Sequence, residues 1–327
     1  MIRVSSICRV VSIVICACSF LFNVVRATAE TFPSRLIRIV VPMTVGTPVD
    51  VISRMIANDI SDAEGWKVIV ENRPGAIGTI AGMHVLGQPA DGYTIFAAAL
   101  PVAAEPALLA NMSYQLEADF EPLIKLTSSY NVLIVNPSLP VNSMADLVEY
   151  LKTKSGNHNF SSGGFGTPAH LIGEMFKLQT GVPVTHIPYS SLPQATGDLI
   201  NGNSQFMFIT TMAVVGLIDA GQLRALAVTA PHRIAALEQV PSVAEEGFKN
   251  LVVEDWVGLL VKTGTPADIV VRLNVAINKS LKKPSVQEAL AKIGAESAGG
   301  TAEAFGALFK EQIAHWGKVV KDSGIRM

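Results

Sequence analysis

The run from Ile37 to Tyr93 constrains this chain more than any other. It reads as strand, glycine loop, helix, strand, Asn-Arg-Pro-Gly turn, helix start, Asp-Gly turn and strand. Ile37-Arg38-Ile39-Val40-Val41-Pro42 is an apolar, β-branched run of strand length. Met43-Thr44-Val45-Gly46-Thr47-Pro48-Val49-Asp50 then turns into a helix expected over Val51 to Ile60, and Val68-Ile69-Val70 is a second short strand. The first helix therefore starts just beyond a strand end. A helix N-terminus carries unbonded backbone N–H groups and a partial positive charge, so it attracts anions, carboxylates included.

The alternation continues to the C-terminus and predicts an α/β fold. Tyr93 to Ala99, Tyr130 to Val135, Gln205 to Ile209, Leu223 to Thr229 and Trp256 to Val261 read as strands. Ser143 to Lys154 reads as a helix with Ser143 as N-cap and Asp146 as an early acid. Gly166-Thr167-Pro168 opens a helix over Ala169 to Thr180, where a proline in the first turn suits the missing N–H. Pro266 to Lys282 and Thr301 to Lys321 read as C-terminal helices. No internal repeat or low-complexity stretch is evident.

The first 29 residues differ from the rest. Arg3 and Arg9 supply positive charge, Val10 to Val25 is apolar, and Ala27-Thr28-Ala29 is a small-residue cleavage site before Glu30. The pattern predicts a secretory signal peptide cleaved after Ala29; the apolar run is short for a membrane anchor. Cys18 makes a poor lipoprotein site, since Ile15 and Cys16 precede it. Cleavage removes Cys8, Cys16 and Cys18, which are all the cysteines, so no disulfide is expected in the mature chain. It also removes Arg3, Arg9 and Arg26 with no acid, taking the formal charge from −2 to −5. That balance, with no Lys/Arg cluster, argues against a nucleic-acid surface. The features together point to a bacterial periplasm.

Several residues could carry function. Gly46 permits close backbone approach to a ligand, and Asp50 can cap N–H groups; the alternative is a plain turn with a capping acid. Ser161-Ser162-Gly163-Gly164-Phe165-Gly166-Thr167 is small, hydroxyl-rich and set before a helix, which suits an anion-binding terminus or only a loop. Ala99 and Leu100, at the end of the third strand, form either a cleft wall or core. His170 suits a structural hydrogen bond better than catalysis. Tyr189 either presents its hydroxyl or packs, and Asp198 suits local pairing. Enzyme signatures are absent: there is no G-x-S-x-G elbow, P-loop or H-E-x-x-H, and the six histidines show no metal-ligand spacing. Ser280-Leu281-Lys282-Lys283 matches S-x-x-K by letters only. No cofactor is expected.

The same residues carry a resemblance. Ile-Arg-Ile-Val-Val-Pro with its glycine loop and Asp50, Val70-Glu71-Asn72-Arg73-Pro74-Gly75-Ala76, and Ala90-Asp91-Gly92-Tyr93-Thr94 resemble the solute-binding proteins of tripartite tricarboxylate transporters, the Bug-type receptors. Val135-Asn136-Pro137, Ser161 to Gly166 with His170-Leu171, His186-Ile187-Pro188-Tyr189, Leu223 to Thr229, Val240 to Gly247 and Trp256 to Leu259 continue the likeness in order. It spans about Phe32 to Ile325.

The resemblance implies a two-lobed type II periplasmic binding protein of the Venus flytrap kind, each lobe a mixed sheet flanked by helices. One lobe would hold residues 30–130 and 250–327, the other 131–249. It implies a small organic anion, a carboxylate, held in the cleft by Met43, Thr44, Val45, Gly46, Thr47, Asp50, Ala99, Leu100, Ser161, Ser162, Gly163, Gly166, Thr167, His170 and Tyr189. It further implies a monomer that delivers ligand to the membrane components of a tripartite transporter. A secreted hydrolase-like enzyme and a receptor serving a sensor are the alternatives. The chain departs from the family pattern at Thr47, where a second glycine is usual, and at Ser190-Ser191, where a cation is usual. Thr47 would narrow the cleft or take the place of a water.

Overall fold

A computed structural model describes residues 31–153 and 158–325. The expected signal peptide and its cleavage site lie outside the described residues. From Leu36 onward the chain forms one compact unit, described by itself.

Its elements in chain order are β1 (Ile37–Val41), α1 (Pro48–Glu64), β2 (Val68–Asn72), a 3-10 turn (Ala76–Gly78), α2 (Thr79–Leu86), β3 (Thr94–Ala99), α3 (Leu100–Leu108), α4 (Leu116–Asp119) and β4 (Phe120–Val135). Then come α5 (Met144–Thr153), β5 (His158–Ser162), α6 (Pro168–Thr180), β6 (Val184–Pro188), α7 (Leu192–Ile200), β7 (Phe206–Thr210), α8 (Val215–Asp219) and β8 (Arg224–Val228). β9 (Glu254–Lys262), α9 (Ala267–Leu281), α10 (Pro284–Lys292), β10 (Ala295–Ser297) and α11 (Ala302–Ser323) complete the chain.

The strands pair in the order β2-β1-β3-β9-β4-β7-β5-β6, with β10 and β8 also on β4. β1 lies parallel to β2 and β3, and β5 parallel to β6 and β7; every ladder that includes β4 or β9 is antiparallel. Both parts are thus mixed sheets. β4 joins them. Its first half, up to Tyr130, pairs with β9, and from Asn131 onward it pairs with β7. The sequence reading starts this strand at Tyr130 and so misses its first ten residues. Pro122 falls at an irregularity in the β4–β9 register, which is where a strand tolerates proline.

The inner strands are largely buried on both faces, as parallel strands with helical crossovers require, whereas the edge strands β2 and β6 are partly exposed. Trp256 and Trp316 are fully buried, and Trp256 meets Phe305 and Phe309 edge-on at 5.5 and 5.8 Å. Phe160, Phe176, Phe206 and Phe208 fill the space under β5 and β7. The expected caps form: Asp146 N–H donates to Ser143 Oγ at 3.1 Å, Ser143 N–H donates back to Asp146 Oδ2 at 3.1 Å, and Ala304 N–H donates to Thr301 Oγ1 at 3.1 Å.

One buried acid sits under the turn that follows β2. Glu105, in α3, is fully buried; Tyr114 Oη donates to its Oε2 at 2.6 Å, and its Oε1 has no partner. Burial pushes its carboxyl up to about 8, against the opposing Tyr114 hydrogen bond, so the group is protonated at neutral pH. The unfolded chain releases that proton near 4.5, whereas the native state keeps it to about 8. Native protein therefore binds more protons across that window, and stability falls as pH rises through it. Glu105→Gln keeps the acceptor for Tyr114 and removes the titration. It should raise stability at pH 7 by up to about 3 kcal/mol and flatten the decline, measured by denaturant unfolding at several pH values.

Candidate functional site

Two strand-to-helix loops are built alike. In each, Gly-Thr-Pro leads into the helix, Gly46-Thr47-Pro48 into α1 and Gly166-Thr167-Pro168 into α6. A third Gly-Thr-Pro, Gly264-Thr265-Pro266 before α9, shares the positive glycine φ (88°) and the inward threonine bond (Thr265 Oγ1 to Lys262 O, 2.7 Å). Its glycine N–H, however, donates to Glu121 Oε1 of β4 and not to a side chain of its own helix. Gly46 and Gly166 take φ of 85° and 73°, in the region that favours glycine. Thr47 and Thr167 are extended, at φ −72° and −68°. Thr47 Oγ1 donates to Thr44 O at 2.8 Å and Thr167 Oγ1 to Gly164 O at 2.7 Å. Gly46 N–H donates to Asp50 Oδ2 at 3.0 Å, and Gly166 N–H to His170 Nδ1 at 3.1 Å. Asp50 and His170 differ in type but share one role, each accepting from the glycine four residues before it.

The arrangement leaves both helix starts uncapped. Each N-cap threonine turns its hydroxyl back into the loop and makes no cap bond. Proline removes one N–H, and Val51 and Leu171 make the first helical bonds to Thr47 O and Thr167 O at 3.0 Å. The N–H groups of Val49, Asp50, Ala169 and His170 therefore have no intrahelical acceptor. The N–H groups of Gly46 and Gly166 are already committed to Asp50 and His170, so these four are the donors the helix starts can offer.

Each loop is held from beneath by different chemistry. Asp50 is buried and Arg54 Nε, Asn72 Nδ2 and Gly46 N–H all donate to its carboxylate. Burial raises its pKa, but the hydrogen bonds from Arg54, Gly46 and Asn72 prevail and hold it below the usual range. Asn72 also donates to Met43 O at 3.1 Å, tying the loop to the end of β2. Under the second loop, the His170 and His186 rings stack at 4.0 Å, and His186 stacks on Phe160 at 4.8 Å. Ser162 Oγ lies 2.6 Å from His186 Nε2 and accepts from Gly164 N–H at 3.1 Å. Burial first, and the positive field of Lys177 second, lower His170 to about 4; burial and the two neighbours His170 and Lys177 lower His186 to about 3. Both rings are neutral at pH 7, as Nδ1 of His170 must be to accept.

Not every expected residue faces the loops. Ser161 is fully buried and its hydroxyl is turned toward Ala195 O and Ser204 Oγ. Ala99, the last residue of β3, and Leu100, the first of α3, are buried, and Leu100 belongs to the core. Tyr189 donates its hydroxyl to Asp198, the local pairing expected of that acid. Met43, Thr44, Val45, Gly163 and Thr167 lie in the loops, and Val45 is 71% exposed at its tip. Thr47 spends its hydroxyl on Thr44 O, so bulk is what it adds to the loop.

The structure adds residues that the sequence reading omits. The turn after β2 lies between the two loops. A Cβ built on Gly78 would lie 3.2 Å from Pro42, at the root of the first loop. One built on Gly166 would lie 3.1 Å from Ile77 Cδ1 and 3.3 Å from Leu108 Cδ1. The second loop therefore packs against the turn and against α3. A separate cavity of about 550 Å³ lies between α6, the 249–254 segment and α11, lined in part by Leu178, Asn250, Val252, Glu311 and Trp316. None of the expected site residues lines it. Among the described residues no group of histidine, cysteine and acid side chains is placed to hold a metal.

The histidine support gives a pH dependence. The unfolded chain protonates its histidines near 6.5, whereas the native state resists until about 4 at His170. The unfolded state then binds more protons, so stability falls as pH drops from about 6.5 to 4. His170→Asn offers a carbonyl acceptor that does not titrate. It should remove roughly half of that acid-side loss, the rest belonging to His186, as read by thermal unfolding between pH 7 and 4.

Comparison with known proteins places this architecture. Residues 52–325 match the family described as tripartite tricarboxylate transporter family receptor. The protein BugT of Bordetella pertussis is 32% identical over 302 residues, covering 92% of this chain and 93% of BugT. A structure from R. palustris solved with adipate is 34% identical with a TM-score of 0.82, covering 90% of this chain and 100% of that one. MatC from Rhodopseudomonas palustris with bound malate is 28% identical with a TM-score of 0.79, covering 88% of this chain and 100% of that one. The periplasmic binding protein BugD is 30% identical with a TM-score of 0.80. The fold is accordingly that of the two-lobed periplasmic binding proteins, and the family consists of receptors, which sets the hydrolase reading aside. With the match spanning most of its length, the chain belongs to the tripartite tricarboxylate transporter receptor family of solute-binding proteins.

Proposed function

We propose that this chain is an exported receptor that captures a small mono- or dicarboxylate between two lobes and delivers it to the membrane components of a tripartite transporter. The observation that carries the reading is the pair of uncapped helix starts at Thr47 and Thr167, each offering two backbone N–H groups on a loop held rigid from below. Such a terminus binds a carboxylate without a cation. The adipate and malate bound by relatives are of that class.

On this reading one lobe comprises 30–130 with 250–327 and the other 131–249. The change of partner along β4 between Tyr130 and Asn131 supports the first crossing, and the entry into β9 at Glu254 supports the second. The protein acts as a monomer in the periplasm. Among the described residues no helix is long and apolar enough to cross a membrane.

Two measurements test the proposal. Mono- and dicarboxylates should raise the melting temperature, because a ligand selective for the folded state stabilises it by mass action; at a hundredfold excess over Kd the gain is about 2.7 kcal/mol. A panel in which sugars or polyamines stabilise and no organic acid does would refute it. N-terminal sequencing of the exported protein should begin at Glu30, and an intact Met1 would contradict export by cleavage.

A further inference from the structure

Ile77 holds a backbone conformation that its side chain opposes. It lies at φ 59°, and its neighbour Ala76 at φ 46°. A β-branched residue in the left-handed region is an outlier that persists only where its surroundings hold it. The surroundings here are specific. Gly78 next to it packs on Glu105, Pro42 and Val102, which pins one end of the turn. Thr79 Oγ1 donates to Ala76 O at 3.1 Å, which pins the other residue. The side chain of Ile77 then reaches Gly166, on the loop that opens α6, alongside Leu108.

Ile77 thus meets the loop that opens α6, while its neighbour Gly78 meets Pro42 at the root of the loop that opens α1, so the turn spans the two helix starts proposed to hold carboxylates. Its side chain meets hydrocarbon, although the unpartnered Oε1 of Glu105 lies under the adjacent Gly78. The turn itself is Gly75-Ala76-Ile77-Gly78, Leu108 flanks it, and Phe165 beside Gly166 is 50% exposed. The nearby hydroxyls of Thr47, Thr167 and Ser162 already bond within their own loops. The Tyr114 hydroxyl is committed to Glu105.

We propose that Ile77 sets the class of acid this receptor accepts: a carboxylate whose body is unsubstituted hydrocarbon, in preference to one bearing a hydroxyl on its chain. The inference rests on the carboxylate reading above and names the part of the ligand that the backbone N–H groups do not read. A hydroxyl closed in against the Ile77 and Leu108 side chains loses its water and finds no partner on either, a cost that falls on the hydroxylated acid alone. A hydrocarbon body loses nothing there and gains contact.

The test uses matched pairs: succinate, glutarate and adipate, each beside its 2-hydroxy derivative, titrated calorimetrically into the mature protein. The parent should favour the unsubstituted member of its best pair by about tenfold or more. Two variants remove the hydrocarbon at this point. Ile77→Gly relieves the backbone strain, and Ile77→Asn places a polar amide in a conformation that asparagine tolerates. Circular dichroism confirms that each is folded. In at least one, the preference should shrink to about threefold or less, a change in ratio that simple loss of packing would not produce. A ratio unchanged within about twofold in both variants, or a parent that prefers the hydroxylated acids, overturns the role of Ile77 while leaving carboxylate capture intact. A parent that binds no organic acid of any kind overturns the carboxylate reading and this inference with it.

Discussion

A glycine N–H held by the side chain four residues further on is the contact on which both loops depend. It draws Asp50 and His170 back under their own helix starts. With the threonine hydroxyl also turned inward, no side chain is left to cap the helix, and the dipole end stays open. The two supports are not equivalent. Asp50 is ionised and shares its charge with Arg54, whereas His170 is neutral and stacked on His186. An anion approaching α1 meets a carboxylate one turn in, offset by the guanidinium beyond it. An anion approaching α6 meets no such charge. The α6 terminus is therefore the stronger anion end, and the α1 terminus the weaker.

The loops are useful only if they are held at a fixed place relative to each other, and β4 does this. A continuous 16-residue strand serves both sheets. At the change of sheet the two crossing segments are laced together through one residue. Asn131 N–H donates to Thr229 Oγ1 at 3.0 Å, Thr229 Oγ1 donates to Val253 O at 2.9 Å, and Val253 N–H donates to Thr229 O at 2.9 Å. Opening of the proposed lobes must bend the backbone on either side of this knot, because the buried sheets themselves cannot shear without losing their ladders.

Much of this was legible in the sequence, for identifiable reasons. β1, β3, β7 and the second half of β4 are apolar runs bounded by turn residues, and they form within one or two residues of the expected bounds. The first half of β4 was not legible, because Glu121-Pro122, Lys125 and Thr127-Ser128-Ser129 break the apolar pattern that a buried strand should show. β5 and β6 were missed as full strands since His158-Asn159 and Thr185-His186 look like loop, and α7 because Pro193 and Gly197 read as breakers. In the site, the loops and their glycines were visible as helix-start chemistry. Their supports were not: a buried Asp and a buried His look unlike, and only the shared hydrogen bond equates them. Ile77 was invisible for a sharper reason, since no propensity rule places a β-branched residue at positive φ.

That blind spot has a physical meaning. Backbone N–H groups read the charge and spacing of an anion and nothing else about it, so two receptors with the same loops can differ in ligand. On the proposed reading, identity is read by the side chains that stand between the loops. In this chain those positions carry hydrocarbon, one of them held at an energetic cost of about 1–3 kcal/mol in backbone strain. A glycine or asparagine would occupy the same turn without that strain. Its side chain packs on the hydrophobic core with Leu108 and against Gly166 of the opposite loop, and on the proposed reading it also borders the ligand. Local propensity and local structure conflict at this one residue, and such conflicts are expected where a site, and not the fold, decides the residue.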